Sequence, residues 1–143
     1  MIKLLTGFTV LSLVTVHAES LTINVTTEGP REGVIAILVF KDKKGFPSDH
    51  EKAFKKERFP VTAEGVVSCT FTNLPYGEYS LSVLHDENDN YKADKMLGFG
   101  PPKEPVGFSN ISQKSKKKPT FESTLFTFNK DSAEFAVPLF YIF

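Results

Sequence analysis

Short runs in which apolar and polar residues strictly alternate, each closed by a turn signal, constrain the fold of this chain more than any other feature. Leu21, Ile23 and Val25 alternate with Thr22, Asn24 and Thr26; Val67, Cys69 and Phe71 with Ser68 and Thr70; Tyr79, Leu81 and Val83 with Ser80 and Ser82. Side chains two residues apart share a face of an extended chain, so each run reads as a half-buried strand. Val34 to Phe40 is apolar almost throughout, as in a strand that enters deep core. Pro60–Ala63 and Val66–Thr72 read as a strand pair turning at Glu64-Gly65, and Phe121–Phe128 and Ala133–Tyr141 as two more strands joined through Asn129-Lys130-Asp131. Phe135, Val137, Leu139 and Tyr141 share one face of the last strand. Pro138 has no amide to donate, which puts that strand at an edge or a bulge.

The one helix signal is Ser48 followed by Glu51, a capping box in which hydroxyl and carboxylate satisfy amides that the first turn leaves unpaired. It predicts two or three helical turns over residues 48–56, pinned to the domain by Phe46 and Phe54. About seven short strands spaced by turns, with one short helix in a crossover, predict an all-β chain: a single antiparallel β-sandwich of immunoglobulin-like or transthyretin-like character. With 14 Phe and no Trp, the core is expected to be aromatic.

Residues 1–18 read as an export signal, with Lys3 in the basic segment, an apolar run from Leu4 to Val16, and Val16-His17-Ala18 as the cleavage site. That run is short of the ~20 residues that cross a bilayer, so no membrane anchor is expected once the signal is removed. The mature chain is then a single domain over 19–143, destined for the periplasm or the medium, with 16 basic and 17 acidic side chains. Such a balance gives no electrostatic case for nucleic acid, and the basic tract Lys114 to Lys118 reads as a solvated loop. The single cysteine, Cys69, lies on the apolar phase of its strand and reads as a small core residue rather than a nucleophile.

The longest break in the strand pattern follows the turn Leu74-Pro75-Tyr76-Gly77 and the strand that ends at His85. From Asp86 to Phe108 the chain is dense in Asp, Asn, Gly and Pro, and a loop of that length needs something to hold it, since each ordered residue costs roughly 1–2 kcal/mol of backbone entropy. Asp86, Asn88, Asn90 and Asp94 stand at positions one, three, five and nine of a loop in which the Lys92 carbonyl takes position seven, the oxygen spacing that wraps a hard cation such as calcium. Tyr91 stands where such loops carry Gly, and Leu97 where a closing Glu belongs. These departures favour the other reading, in which Asp and Asn bond their own backbone in successive Asx turns. A positive φ at Asn90 or Tyr91 would complete the bend, at a cost in strain for Tyr.

His85 at the mouth of this loop reads as a buried hydrogen-bond anchor, with general base or metal ligand as alternatives. His85, Asp86, Glu104 and Ser109 are parts from which a small hydrolase could be assembled, although no nucleophile elbow and no zinc spacing is present. Phe99 and Phe108, on Gly/Pro-rich backbone, are either aromatic anchors for a partner or a lid over the sandwich end.

Several separated motifs carry a resemblance. Leu74-Pro75-Tyr76-Gly77-Glu78-Tyr79 is similar to a turn-and-strand of transthyretin-like and carboxypeptidase-regulatory-like domains. His85-Asp86-Glu87-Asn88-Asp89-Asn90, Asp94, Leu97 to Glu104, Gly107 to Asn110 and Pro119-Thr120-Phe121, with Gly45-Phe46-Pro47 and Glu51-Lys52-Ala53 upstream, resemble a family of small exported bacterial proteins, the domain of unknown function 2141. The resemblance implies a β-sandwich, export and no established activity. Members usually read Asn-x-Asn-Gly where this chain has Asn88-Asp89-Asn90-Tyr91, so the loop is expected to bend differently here. The functional expectation is a non-catalytic exported sandwich that binds a protein partner, a glycan or a cation through residues 85–110. A hydrolase using His85, Asp86 and Glu104, and a purely structural envelope component, are the alternatives.

Overall fold

The alternating runs decide the layers. In the computed structural model, which describes residues 10–12 and 19–142, eight strands form: β1 (Ser20–Thr27), β2 (Val34–Phe40), β3 (Lys55–Pro60), β4 (Val66–Thr72), β5 (Gly77–Asp86), β6 (Val106–Phe108), β7 (Phe126–Phe128) and β8 (Ser132–Leu139). The leader read over residues 1–18 lies outside the described residues, apart from 10–12. One sheet has the order β4-β1-β8 and the other β3-β2-β5-β6, with β7 paired to the start of β5. The two are packed as a sandwich. Leu21, Ile23 and Val25 of β1, Val67, Cys69 and Phe71 of β4, Ile35, Ile37 and Val39 of β2, and Tyr79, Leu81 and Val83 of β5 bury one shared core. Each such side chain contributes roughly 1.5–3 kcal/mol by leaving water. Burial also pushes the Cys69 thiol up to about 11, which suits a core residue and not a nucleophile.

The ladders are antiparallel except β1–β8, where Ser20 to Thr27 run parallel to Ser132 to Leu139. Pro138 sits in β8 at the edge of its sheet, where a missing amide leaves no ladder bond unmade. Just past β8, Val106 and Phe140 exchange both backbone hydrogen bonds, at 3.0 and 2.9 Å, and so stitch the first sheet to β6 of the second.

Three local expectations are corrected. Residues 48–56 are not helical: β2 claims Lys55 to Pro60 as an antiparallel partner, and Phe54 donates its amide to the Val39 carbonyl at 2.8 Å. A short helix nucleates poorly by itself, and here tertiary pairing overrides it. Asp49 rather than Ser48 caps this turn, its Oδ1 accepting from the Glu51 amide at 3.1 Å. Phe46 and Phe54 still pin the segment, the first against Phe40 and Phe108, the second stacked on Tyr79. The helix that does form is α1 (Phe121–Thr124), inside the run read as one strand, with Thr120 and Ser123 as a reciprocal capping box. Residues 60–63 do not pair with β4, whose partner is β1.

The Leu74 to Tyr79 motif has a direct physical reading. Tyr79 is buried and donates its hydroxyl to the Pro75 carbonyl at 2.6 Å, tying the turn to the strand that leaves it. Tyr79→Phe is therefore expected to lose about 1 kcal/mol in urea denaturation, whereas Ser48→Ala, which caps nothing, stays within about 0.5 kcal/mol of the parent.

Candidate functional site

β5 delivers two adjacent side chains to opposite faces. His85 points inward and Asp86 outward, and both have no exposed surface. The His85 Nε2–H donates to the Glu32 carbonyl at 2.7 Å, and Nδ1 lies 2.9 Å from the Thr27 hydroxyl. His85 thus ties the end of β5 to the connection between β1 and β2. Gly29 lies flat against the ring, where a Cβ would come within 2.5 Å of Nδ1.

Asp86 faces the other side, where β3 supplies its partner. Arg58 stands opposite Ala36 on β2, and Ala36 stands opposite Leu84 on β5, so the guanidinium reaches past a small side chain toward the end of β5. Arg58 Nη2 donates to Asp86 Oδ2 at 2.9 Å and to Asp89 Oδ1 at 2.5 Å. The Asn90 amide donates to Asp86 Oδ1 at 3.0 Å and the Tyr91 amide to Oδ2 at 2.9 Å. A buried carboxylate is costly unless paired and bonded, and this one has a cation and two amides. Tyr91 takes φ 65°, the left-handed region, and its ring lies 3.9 Å beneath the Arg58 guanidinium. The stacking offsets a backbone cost of about 1–2 kcal/mol for a non-glycine residue there.

Glu104 closes the loop from its far side. It is 2% exposed, and its two oxygens accept the amides of Glu87 and Asp94, each at 3.0 Å. Tyr141 donates to the Glu87 carboxylate at 2.5 Å, adding a tie from the chain beyond β8. Burial pushes Glu104 above its ordinary 4.5, with Asp94 and Asp86 adding to the rise and the two amides opposing it. Asp94 is held below its ordinary 3.8 by side-chain amides of Asn90 and Asn88.

Those amides decide how the candidate metal residues are arranged. Asn88 Nδ2 and Asn90 Nδ2 donate to the two oxygens of Asp94 at 2.7 and 2.9 Å, and Asn90 Oδ1 accepts the Lys92 amide at 3.0 Å. Calcium takes six to eight oxygens. Here N–H groups face Asp94 and a guanidinium flanks Asp86, so the donors as placed do not fit that ion. Among the described residues no group of three or more His, Cys, Asp or Glu is placed to hold a metal.

The hydrolase parts are bonded to different partners. Ser109 accepts the Leu81 amide and donates to the Thr124 carbonyl, whereas His85 bonds Thr27 and Glu32, and Glu104 lies near enough to Asp86 to feel its charge. The two aromatic residues also separate. Phe108 is 7% exposed, in β6 against Phe46, whereas Phe99 is 84% exposed. Phe99 shares its turn with Leu97, 87% exposed at φ 55°, and with half-exposed Met96. Arg58 and Thr27 carry no site signal in the sequence, and Tyr141 reads there only as a strand residue; Arg58 sits in the charged run Lys55-Lys56-Glu57-Arg58, which resembles a solvated edge.

Arg58→Ala leaves Asp86 buried without its cation and is expected to cost about 3 kcal/mol in chemical denaturation; Arg58→Lys, a point charge without the flat stacking surface, recovers only part of this. The folded state holds the Glu104 proton to higher pH than the unfolded chain does. That contribution is full below 4.5 and is lost as pH rises through the folded value. Asp94 works the other way: its contribution is present above 3.8 and is lost as pH falls through its lowered value. Glu104→Gln offers one acceptor oxygen to two amides, so it is expected to lose about 1–3 kcal/mol and to flatten the decline on the alkaline side of pH 4.5 in a melting series.

No curated protein and no solved structure matches the chain. Residues 23–136, from β1 into β8 and including the whole Asp86–Glu104 loop, match the profile described as uncharacterized protein conserved in bacteria. The chain belongs to that family, the domain of unknown function 2141 (DUF2141).

Proposed function

We propose that this is an exported, non-catalytic β-sandwich protein that binds its partner through the loop face of residues 85–110. The observation that carries the reading is a division of labour within the loop. Its ionisable side chains at the base are buried and bonded, and its apolar side chains at the turn are exposed. His85 and Asp86 are engaged on opposite faces of β5, and Glu104 is bonded to backbone amides of the loop, which supports a binding role over a hydrolytic one. Among the described residues every buried side-chain nitrogen or oxygen has at least one hydrogen bond, which supports a structural part for the base. Leu97 and Phe99 have the opposite character: large, apolar, solvated and set on a fixed turn, as interaction anchors are.

A benzophenone side chain placed at position 99, and in a separate protein at exposed position 130, tests this in cells. Adducts from 99 that are missing from 130 are expected. Equal labelling at the two positions, or none at 99, contradicts the reading. Intact mass of the envelope-associated or secreted protein is expected to match a chain starting at Glu19.

A further inference from the structure

We infer that the partner of the 95–103 turn is an anionic lipid surface, into which Met96, Leu97 and Phe99 insert while Lys95 and Lys103 meet the headgroups; this rests on the reading of the loop as the binding face. The segment reads Lys-Met-Leu-Gly-Phe-Gly-Pro-Pro-Lys, with a cation at each end and no acid between. Lys95 and Pro102 face each other in a β-bridge, so the two lysines form the neck of a narrow projection and the apolar residues its tip. Lysine stems in such a position lie along apolar surface and keep their ammonium groups at the interface.

The backbone of the tip decides among occupants. The Met96 amide donates to the Pro101 carbonyl at 3.0 Å, Gly98 to Lys95 at 3.2 Å, and Gly100 to Met96 at 2.8 Å. Phe99 donates to the Met96 carbonyl too, and Pro101 and Pro102 have no amide hydrogen. Four of the five amides from Met96 to Gly100 are thus turned onto the segment's own carbonyls, which suits a tip that lies in the headgroup and upper acyl layer with its apolar side chains foremost. The same property leaves few amide donors for a glycan to bond. It also leaves few free donors to add to a protein strand. Leu97 and Phe99 are both more than four-fifths exposed in water, and Leu97 holds a left-handed φ, two unfavourable features that insertion of the tip would put to use.

The chain has no Trp, so Phe99→Trp places one reporter at the tip. The full chain and its variants are compared side by side, which makes any contribution of residues 1–18 common to all. On vesicles of phosphatidylglycerol and phosphatidylethanolamine, the reporter is expected to shift to the blue. Cosedimentation is expected to fall about tenfold or more for Leu97→Ser/Phe99→Ser. Lys95→Gln and Lys103→Gln should each weaken it about fivefold, as should added salt or pure phosphatidylcholine. An unshifted reporter, or equal binding by parent and double-serine variant, overturns the lipid assignment. If vesicles fail while a benzophenone at 99 still captures a protein or glycan, the lipid assignment falls and the loop-face reading stands. If both fail, both fall.

Discussion

The side chain of Asp86 is fully buried, and much of the loop is arranged to meet it with hydrogen-bond donors. Arg58 supplies a cation from the edge strand of the same sheet, and the Asn90 and Tyr91 amides supply two more donors. Removing either partner would strand a charge or a pair of amides, so the arrangement is held by the cost of undoing it. The consequence is geometric: the loop is folded back against β3 and β5. Tyr91 then pays its backbone strain in exchange for stacking on the same guanidinium.

Glu104 and His85 extend this base in two directions. Glu104, at the returning end of the loop, receives the amides of Glu87 and Asp94 from its outgoing limb and closes it into a ring. His85 bonds across to the β1–β2 connection, so the loop is fixed to both sheets. The proposed binding role would draw on such a base, because it holds the turn that carries Leu97 and Phe99. The hydrogen bonds from Met96, Gly98, Phe99 and Gly100 set the shape of the turn itself.

Much of this fold could be read from the chain. Period-2 alternation located β1, β4 and β5, and the Pro in β8 marked an edge, because those signals come from the physics of a single strand. Pairing was less legible. The parallel match of β1 with β8 joins residues more than a hundred positions apart, and no local pattern records it. The helix read at 48–56 failed for a related reason: its last residues, Lys55 and Lys56, open a strand once β2 is beside them. In the site, Asp86, Asn90, Asp94 and Glu104 stood out by composition, and the positive φ expected at Asn90 or Tyr91 falls at Tyr91, with a second at Asp89. Arg58 did not stand out, since a cation among lysines at a strand edge resembles any solvated charge, and its distance of 28 residues from Asp86 hides the pairing. The fates of Phe99 and Phe108 were equally hidden, because which ring packs is decided by whether β6 reaches it.

Residue-resolved amide hydrogen exchange on the native protein tests the central claim most directly. If the buried Asp86–Arg58 pair and Glu104 hold the loop as part of the fold, the amides of Glu87, Asn90, Tyr91 and Asp94 exchange as slowly as neighbouring strand amides, and Arg58→Ala releases Asn90 and Tyr91 first. Exchange of these four amides at the rate of free peptide, with the strands still protected, would contradict it.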